Sequence, residues 1–270
     1  CLEHLGDLTS ALEHQCNAYK LAVINGNIPF QILSLGNLGA MKMKRGALRE
    51  AAEFFNKARH EIRGLNAAEG FDRERFFFAL EVDSILYAIY VADYGVATDR
   101  LKRIRIVLGP LIPMERALYE ITRCKFFVAI GMTIKARQLL KKLREVSRFT
   151  IEFVQIERAL VEAQLPEIPA TARLEELQHA LERSNNLGTL YQQCDLFISL
   201  AFVHLELGER AKAEDYVQQA LALANKNGYR ILAARASLLA GLSGETTREK
   251  QQYLSDALQL ASEMGLQELV

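Results

Sequence analysis

Tryptophan is absent from this chain, and only 5 prolines stand among its 270 residues. So little proline leaves few forced interruptions of a helix and excludes an extended proline-rich architecture. Four cysteines occur, Cys1, Cys16, Cys124 and Cys194, and no two share a Cys-x-x-Cys spacing. That excludes a zinc ribbon and argues against a disulfide framework; small buried side chains are the simpler reading. Neither sign of charge is in excess, with 33 Lys and Arg against 33 Asp and Glu, so no global attraction to nucleic acid or a membrane surface exists. An apolar run of about 18 residues is also missing, as is a segment that reads as a signal peptide. A cytoplasmic location without membrane attachment is therefore expected.

Chemical motifs are equally scarce. The sequence has no Gly-x-x-x-x-Gly-Lys-Ser/Thr loop to cradle phosphates and no Gly-x-Ser-x-Gly nucleophile turn. The five histidines, His4, His14, His60, His179 and His204, are scattered and lack the convergent partners that metal binding or acid–base work needs. No catalytic residue, metal or cofactor is expected.

What the chain does contain is helix-forming residues and a repeat. Half of it is hydrophobic and 24% is charged, as in an ordinary folded protein; Ala, Leu, Glu, Gln, Lys and Arg favour helix. The clearest unit runs Leu38-Gly39, Gly46, Ala51, Phe55, Ala58. The same frame returns as Leu200-Ala201, Gly208, Ala213, Val217, Ala220. Gly6, Ala11 and Ala18 supply its second half, and weaker copies pass through Ala88, Gly95, Ile104 and Cys124, Gly131, Ala136, Leu140. Small residues let two helices approach closely, the glycine suits the left-handed turn between them, and the large residue fills the gap toward the next unit.

This pattern resembles the tetratricopeptide repeat, over nearly the whole chain. Glycines at 6, 46, 95, 131 and 208 imply units longer than the usual 34 residues. Long units of this kind are similar to the superhelical regions of bacterial signal-transduction ATPases and maltose-activator-like regulators, and to peptide-sensing quorum regulators. The resemblance implies an all-α, right-handed superhelix (α-solenoid) of antiparallel helix pairs, as one repeat domain over 1–270. Pairs are predicted at 30–45 with 47–63, 72–93 with 97–108, 114–130 with 133–148, 150–164 with 170–184, 188–207 with 210–226 and 229–241 with 246–264. Residues 1–26 read as a second helix without its first, and a solenoid covers its terminal faces; the chain is thus expected to be part of a longer multidomain protein.

In such an architecture the first helix of each pair lines the concave groove. The repeat frame places there Leu33, Gly36, Asn37, Ala40 and Met43; Val82, Ile85, Ile89 and Ala92; Leu118, Ile121, Lys125 and Val128; and Asp195, Ile198, Phe202 and Leu205. The lining is largely apolar. Two readings stay open: the side chains pack on one another, or they hold an apolar helix, a short peptide or a small ligand. Only Asn37 falls where a chaperone-type carboxylate clamp needs a polar group, so that activity is rejected.

Charge is locally uneven. Between Tyr94 and Thr150 there are thirteen basic residues against four acidic ones, and from Ile151 to Asn227 six against twelve. Arg100, Lys102, Arg103, Arg105, Lys135, Arg137, Lys141, Lys142, Arg144 and Arg148 fall on second helices, which face outward. This stripe is either a solvated face or a dock for an acidic surface; without interleaved aromatics, nucleic acid is not expected as a direct partner. Phe76-Phe77-Phe78 cannot all enter one core, since neighbours on a helix lie about 100° apart. The leading expectation is a regulatory scaffold that binds another protein or its own effector domain. The alternative is a sensor for a small molecule or short peptide in the groove.

Overall fold

The computed structural model describes residues 8–64, 73–106, 112–146, 152–244 and 246–266, and within them the chain forms thirteen α-helices and no strand. The helices are α1 (Leu8–Ile24), α2 (Ile28–Lys44), α3 (Leu48–Gly64), α4 (Arg73–Tyr90), α5 (Tyr94–Ile106), α6 (Pro113–Ala129) and α7 (Thr133–Val146). They continue as α8 (Glu152–Glu162), α9 (Ala170–Leu187), α10 (Leu190–Glu206), α11 (Arg210–Asn227), α12 (Arg230–Ser243) and α13 (Thr247–Met264). Where the residues are described, these ends agree with the sequence-predicted pairs to within a few residues. Cys1, His4 and Gly6 lie outside the described residues.

Local chemistry sets the boundaries. Asn27 caps α2 by accepting a hydrogen bond from the Phe30 amide at 3.2 Å, with Pro29 in the first turn, where its missing N–H matters least. Thr246 and Glu249 form a reciprocal capping box at the start of α13. Gly46, Gly131 and Gly208 turn the chain from first to second helix at φ 73°, 73° and 76°, and Gly188, Gly228 and Gly265 end second helices at φ 66°, 69° and 71°. Gly95 does not turn the chain. It lies inside α5, and the left-handed residue between α4 and α5 is Ala92, at φ 56°. Its amide and that of Asp93 close the end of α4 on the carbonyls of Ile89 and Ala88. The frame of this unit is therefore set by Ala92, with Ile85, Ala97 and Ile104, all fully buried, at its core positions.

Within each pair, small residues decide how close the helices come. A Cβ on Gly39 would lie 2.5 Å from the Phe55 ring, so the ring occupies the space that glycine leaves. Phe55 also meets Tyr87 of the next pair edge-on at 6.2 Å between centroids. Cys124 and Cys194 are buried and donate their thiols to the carbonyls of Ala136 and Ala220 at 3.7 and 3.4 Å. Burial pushes the Cys124 thiol up to about 12 and raises Cys194 as well, so both stay protonated and inert.

First helices pack on first helices along the chain: α2 on α4, α4 on α6, α6 on α8, α8 on α10 and α10 on α12. Second helices reach their neighbours mainly through the first helices, so they splay outward and the array curves with α2, α4, α6, α8, α10 and α12 on its inner wall. The curvature brings the two ends of the array together. Ile231 and Ala234 of α12 and Ala261 and Met264 of α13 share one buried apolar cluster with Ile32, Leu35 and Met43 of α2. Leu8, Ala11 and Leu12 of α1 join Leu239 and Ala240 of α12 in another. At this seam a Cβ on Gly46 would meet Met264 Cγ at 2.8 Å and Arg230 Cβ at 3.1 Å.

Candidate functional site

At the centre of the inner wall, polar side chains converge from all six first helices. Lys125 of α6 donates to Glu157 of α8 at 2.6 Å, and Gln192 of α10 donates to the other oxygen of Glu157 at 3.2 Å. Arg235 of α12 donates to Asp195 of α10 at 2.7 Å. The Lys44 ammonium at the end of α2 sits 4.8 Å from the centre of the Tyr191 ring, a cation–π distance. Tyr191 also lies close enough to Tyr90, the last residue of α4, for the two phenols to influence each other's ionisation.

The electrostatics bind these groups into one unit. Burial alone would lower the Lys125 pKa, but Glu157, then Tyr90 and Asp195, reverse the effect and raise it. Burial would likewise raise Glu157; Lys125, the Gln192 hydrogen bond and Lys44 hold it below its ordinary value. Arg235 is raised by Asp195, Tyr90 and Tyr191 against its own desolvation. Tyr191 is pushed well up by burial first, then by Tyr90 and Asp195. These groups are not sealed off: the Lys125 and Arg235 side chains keep 26% and 29% of their surface exposed. Three cations face two carboxylates along the concave inner wall of the array, within reach of solvent.

Of the residues the repeat frame placed in the groove, Lys125 and Asp195 belong to this cluster. Met43, Ile85, Ile121 and Ile198 are instead buried in the cores between helices, because the inner wall curves tightly enough for adjacent first helices to consume those faces. Val82, Ile89, Leu118 and Val128 are half-buried against the same cores, Ala92 is the turn residue described above, and Leu205 packs partly on the cluster that holds Ile198. Asn37 faces α1, 3.5 Å from Gln15. Gly36 and Ala40 are half-buried, and Leu33 and Phe202 are exposed. Lys44, Glu157, Tyr191, Gln192 and Arg235 were not singled out from the sequence. Their signal was available only as polar residues on first helices otherwise rich in apolar ones.

The basic residues separate into two groups. Arg100 is half-buried against Glu81, Lys102 pairs with Asp99 at 3.2 Å, and Arg103 and Arg105 are exposed on α5. Lys135, Arg137, Lys141 and Lys142 are exposed on α7; the side chains of Arg144 and Arg148 lie outside the described ones. Phe78 is buried, whereas Phe76 and Phe77 are half-buried. His204 is buried, stacks on Tyr216 and bonds Glu209 at 2.6 Å. Among the described residues, no three His, Cys, Asp or Glu side chains gather as metal ligands, and no helix is long and apolar enough to cross a membrane.

No family model and no curated protein sequence matches this chain, but 28 chains of solved structures match its backbone. One is a Rap protein complexed with Competence and Sporulation Factor, at TM-score 0.61 and 13% identity over 95% of this chain and 77% of that one. The fold is that of a tetratricopeptide-type helical repeat. A second match is a Signal Transduction ATPase with Numerous Domains from Pyrococcus horikoshii, whose tetratricopeptide repeat is described as a sensor. That match has TM-score 0.63 and 12% identity over 98% of this chain, which spans 41% of the ATPase. The tetratricopeptide-type array thus accounts for the helix pairing and for the inner and outer walls.

Proposed function

We propose that this chain is a regulatory interaction module that holds a short extended peptide along its concave inner wall, as part of a cytoplasmic signalling or transcription-regulating protein. The observation that carries the reading is the polar cluster drawn from six repeat units. A repeat array could close its inner wall with apolar packing at lower desolvation cost; here it keeps hydrogen-bonding and charged groups at the one place every unit can reach. Such groups suit a ligand that presents backbone amides and charged ends. The naming of one backbone neighbour as a complex with a factor, and of another as a sensor, supports the same reading. No catalytic role is assigned, because each carboxylate of the cluster is already bonded to a cation, Glu157 to Lys125 and Asp195 to Arg235.

The test is selection of binders from a random-sequence peptide library, followed by thermal melting. A ligand on the inner wall raises the melting temperature in proportion to the logarithm of its concentration once above its Kd, and Asp195→Asn or Lys125→Met weakens it. Peptides that bind equally well to both variants would refute the inner wall as their site. A second reading rests on the exposed Lys135, Arg137, Lys141 and Lys142 of α7, which suit an acidic protein surface. Binders lost on charge reversal at Lys141 and Lys142 but kept in the inner-wall variants would favour it.

A further inference from the structure

Away from the inner-wall cluster, a cavity of about 330 Å³ opens between the end of α3, the start of α4 and the face of α5. Four arginines line it: Arg59 and Arg63 from α3, Arg73 from α4 and Arg103 from α5. Two carboxylates also line it, Glu74 and Glu81. Glu81 is fully buried and already committed, since Arg100 donates to both of its oxygens at 2.9 and 3.0 Å and Arg59 lies 3.3 Å away. Arg59 is committed too, to Glu81, to Asn56 at 2.5 Å and to Ser84 at 3.0 Å, which leaves Arg63, Arg73 and Arg103, with Glu74 beside them, to face the open space. Ile62 and Phe77 form an apolar wall on the same cavity.

We propose that this cavity binds a phosphate dianion, free or as an organic phosphomonoester. The guanidinium fork matches phosphate oxygens in pairs, and several arginines converging from three helices are the arrangement that holds a dianion. The start of the 18-residue α4, whose first-turn residues Arg73 and Glu74 line the cavity, adds a positive helix end. Cation crowding is visible in Arg59: burial first, then Arg100 and Arg103, lower its pKa to about 10 despite Glu81. An incoming dianion relieves that repulsion. Phe77 and Ile62 would cover the organic part of a monoester, and the volume is at the small end of ligand pockets, on the order of 300–1,000 Å³.

The experiment is calorimetric titration of the full chain at constant ionic strength with phenyl phosphate and, separately, with inorganic phosphate. Saturable binding of one equivalent is expected. It should weaken about tenfold or more in the double variant Arg63→Glu with Arg103→Glu. Both residues are exposed, so folding should survive; if it does not, Arg63→Gln and Arg103→Gln singly give the same comparison. The control, Lys141→Glu with Lys142→Glu, removes equal charge from α7 and should leave affinity within about twofold, since added charge far from the site is screened beyond roughly 10 Å. Tighter phenyl phosphate assigns the site to an organic monoester, and equal affinities assign it to the free anion. Non-saturable binding, or the same loss in the control, overturns the proposal.

Discussion

Ala92 occupies a backbone conformation that the first-to-second-helix turns at Gly46, Gly131 and Gly208 give to glycine. Its left-handed φ of 56° brings the Cβ against the backbone at a cost of about 1–2 kcal/mol. Ala92→Gly removes that strain but adds about 0.4–1 kcal/mol of unfolded-state entropy. Denaturant melting should therefore show it unchanged to about 1 kcal/mol more stable. Gly46→Ala should run the other way by at least about 1 kcal/mol, because the same conformation gains a Cβ that presses on Met264 and Arg230. A destabilised Ala92→Gly would mean that the turn is not left-handed. Glu81 is the other residue with an outsized role. Glu81→Gln leaves Arg59 and Arg100 without their shared counter-charge, and removal of one partner from a buried pair costs about 3–5 kcal/mol; a loss under about 1 kcal/mol in urea melts would show that solvent reaches the site.

At the scale of the helix pair, the close approach of α2 and α3 depends on one complementary contact. Gly39→Ala places a methyl 2.5 Å from the Phe55 ring and should cost about 1–3 kcal/mol by overpacking. Phe55→Leu opens a cavity and costs about as much alone, but combined with Gly39→Ala it should lose less than the sum of the two. The coupling in that double-mutant cycle is the readout; strict additivity would place the ring elsewhere. This contact was readable in advance, because the spacing of Gly39, Gly46 and Phe55 specifies a hairpin whichever unit carries it. The α4–α5 turn was less readable. Gly95 drew attention as the nearest glycine, while the left-handed position fell on Ala92, whose type carries no turn signal; the Asp93 side chain that accepts from the Val96 amide at 3.0 Å marks the true start of α5.

At the scale of the whole molecule, the seam and the inner wall act together. Ile231→Glu puts a charge into the apolar contact between α12 and α2. Each pair in a repeat array is held chiefly by its neighbours, so helical circular dichroism should persist while the radius of gyration measured by X-ray scattering increases. Unchanged dimensions would mean that the ends do not depend on that contact. The Lys125–Glu157 pair predicts a pH signature. Glu157 is held below its ordinary 4.5, so its contribution is complete above that value and fades as pH falls through the lowered one. Lys125 is held above 10.5, so its contribution is complete below that value and fades as pH rises through the raised one. Glu157→Gln should therefore melt below the unsubstituted chain at pH 7, by up to about 3 kcal/mol, with the gap narrowing toward pH 3. A gap independent of pH would indicate lost packing and not lost charge.

Helix identity, pair boundaries and, outside the α4–α5 unit, the repeat frame follow from sequence alone, because they rest on short-range facts: small residues spaced for close approach, glycines at turns, scarce proline. Lys125 and Asp195 could be assigned to the inner wall for the same reason. Their partners could not. Glu157, Gln192 and Arg235 lie 32 to 40 residues along the chain from the groups they bond, and Lys44 meets Tyr191 only because the array bends until α2 returns to α10 and α12. That bend is the sum of small rotations between successive pairs, each set by side-chain packing at an interface no local pattern encodes. The cavity that gathers Arg59, Arg63, Arg73 and Arg103 from three helices is likewise a product of tertiary packing, since charge along the chain predicts a stripe and only the fold decides which cations face one another.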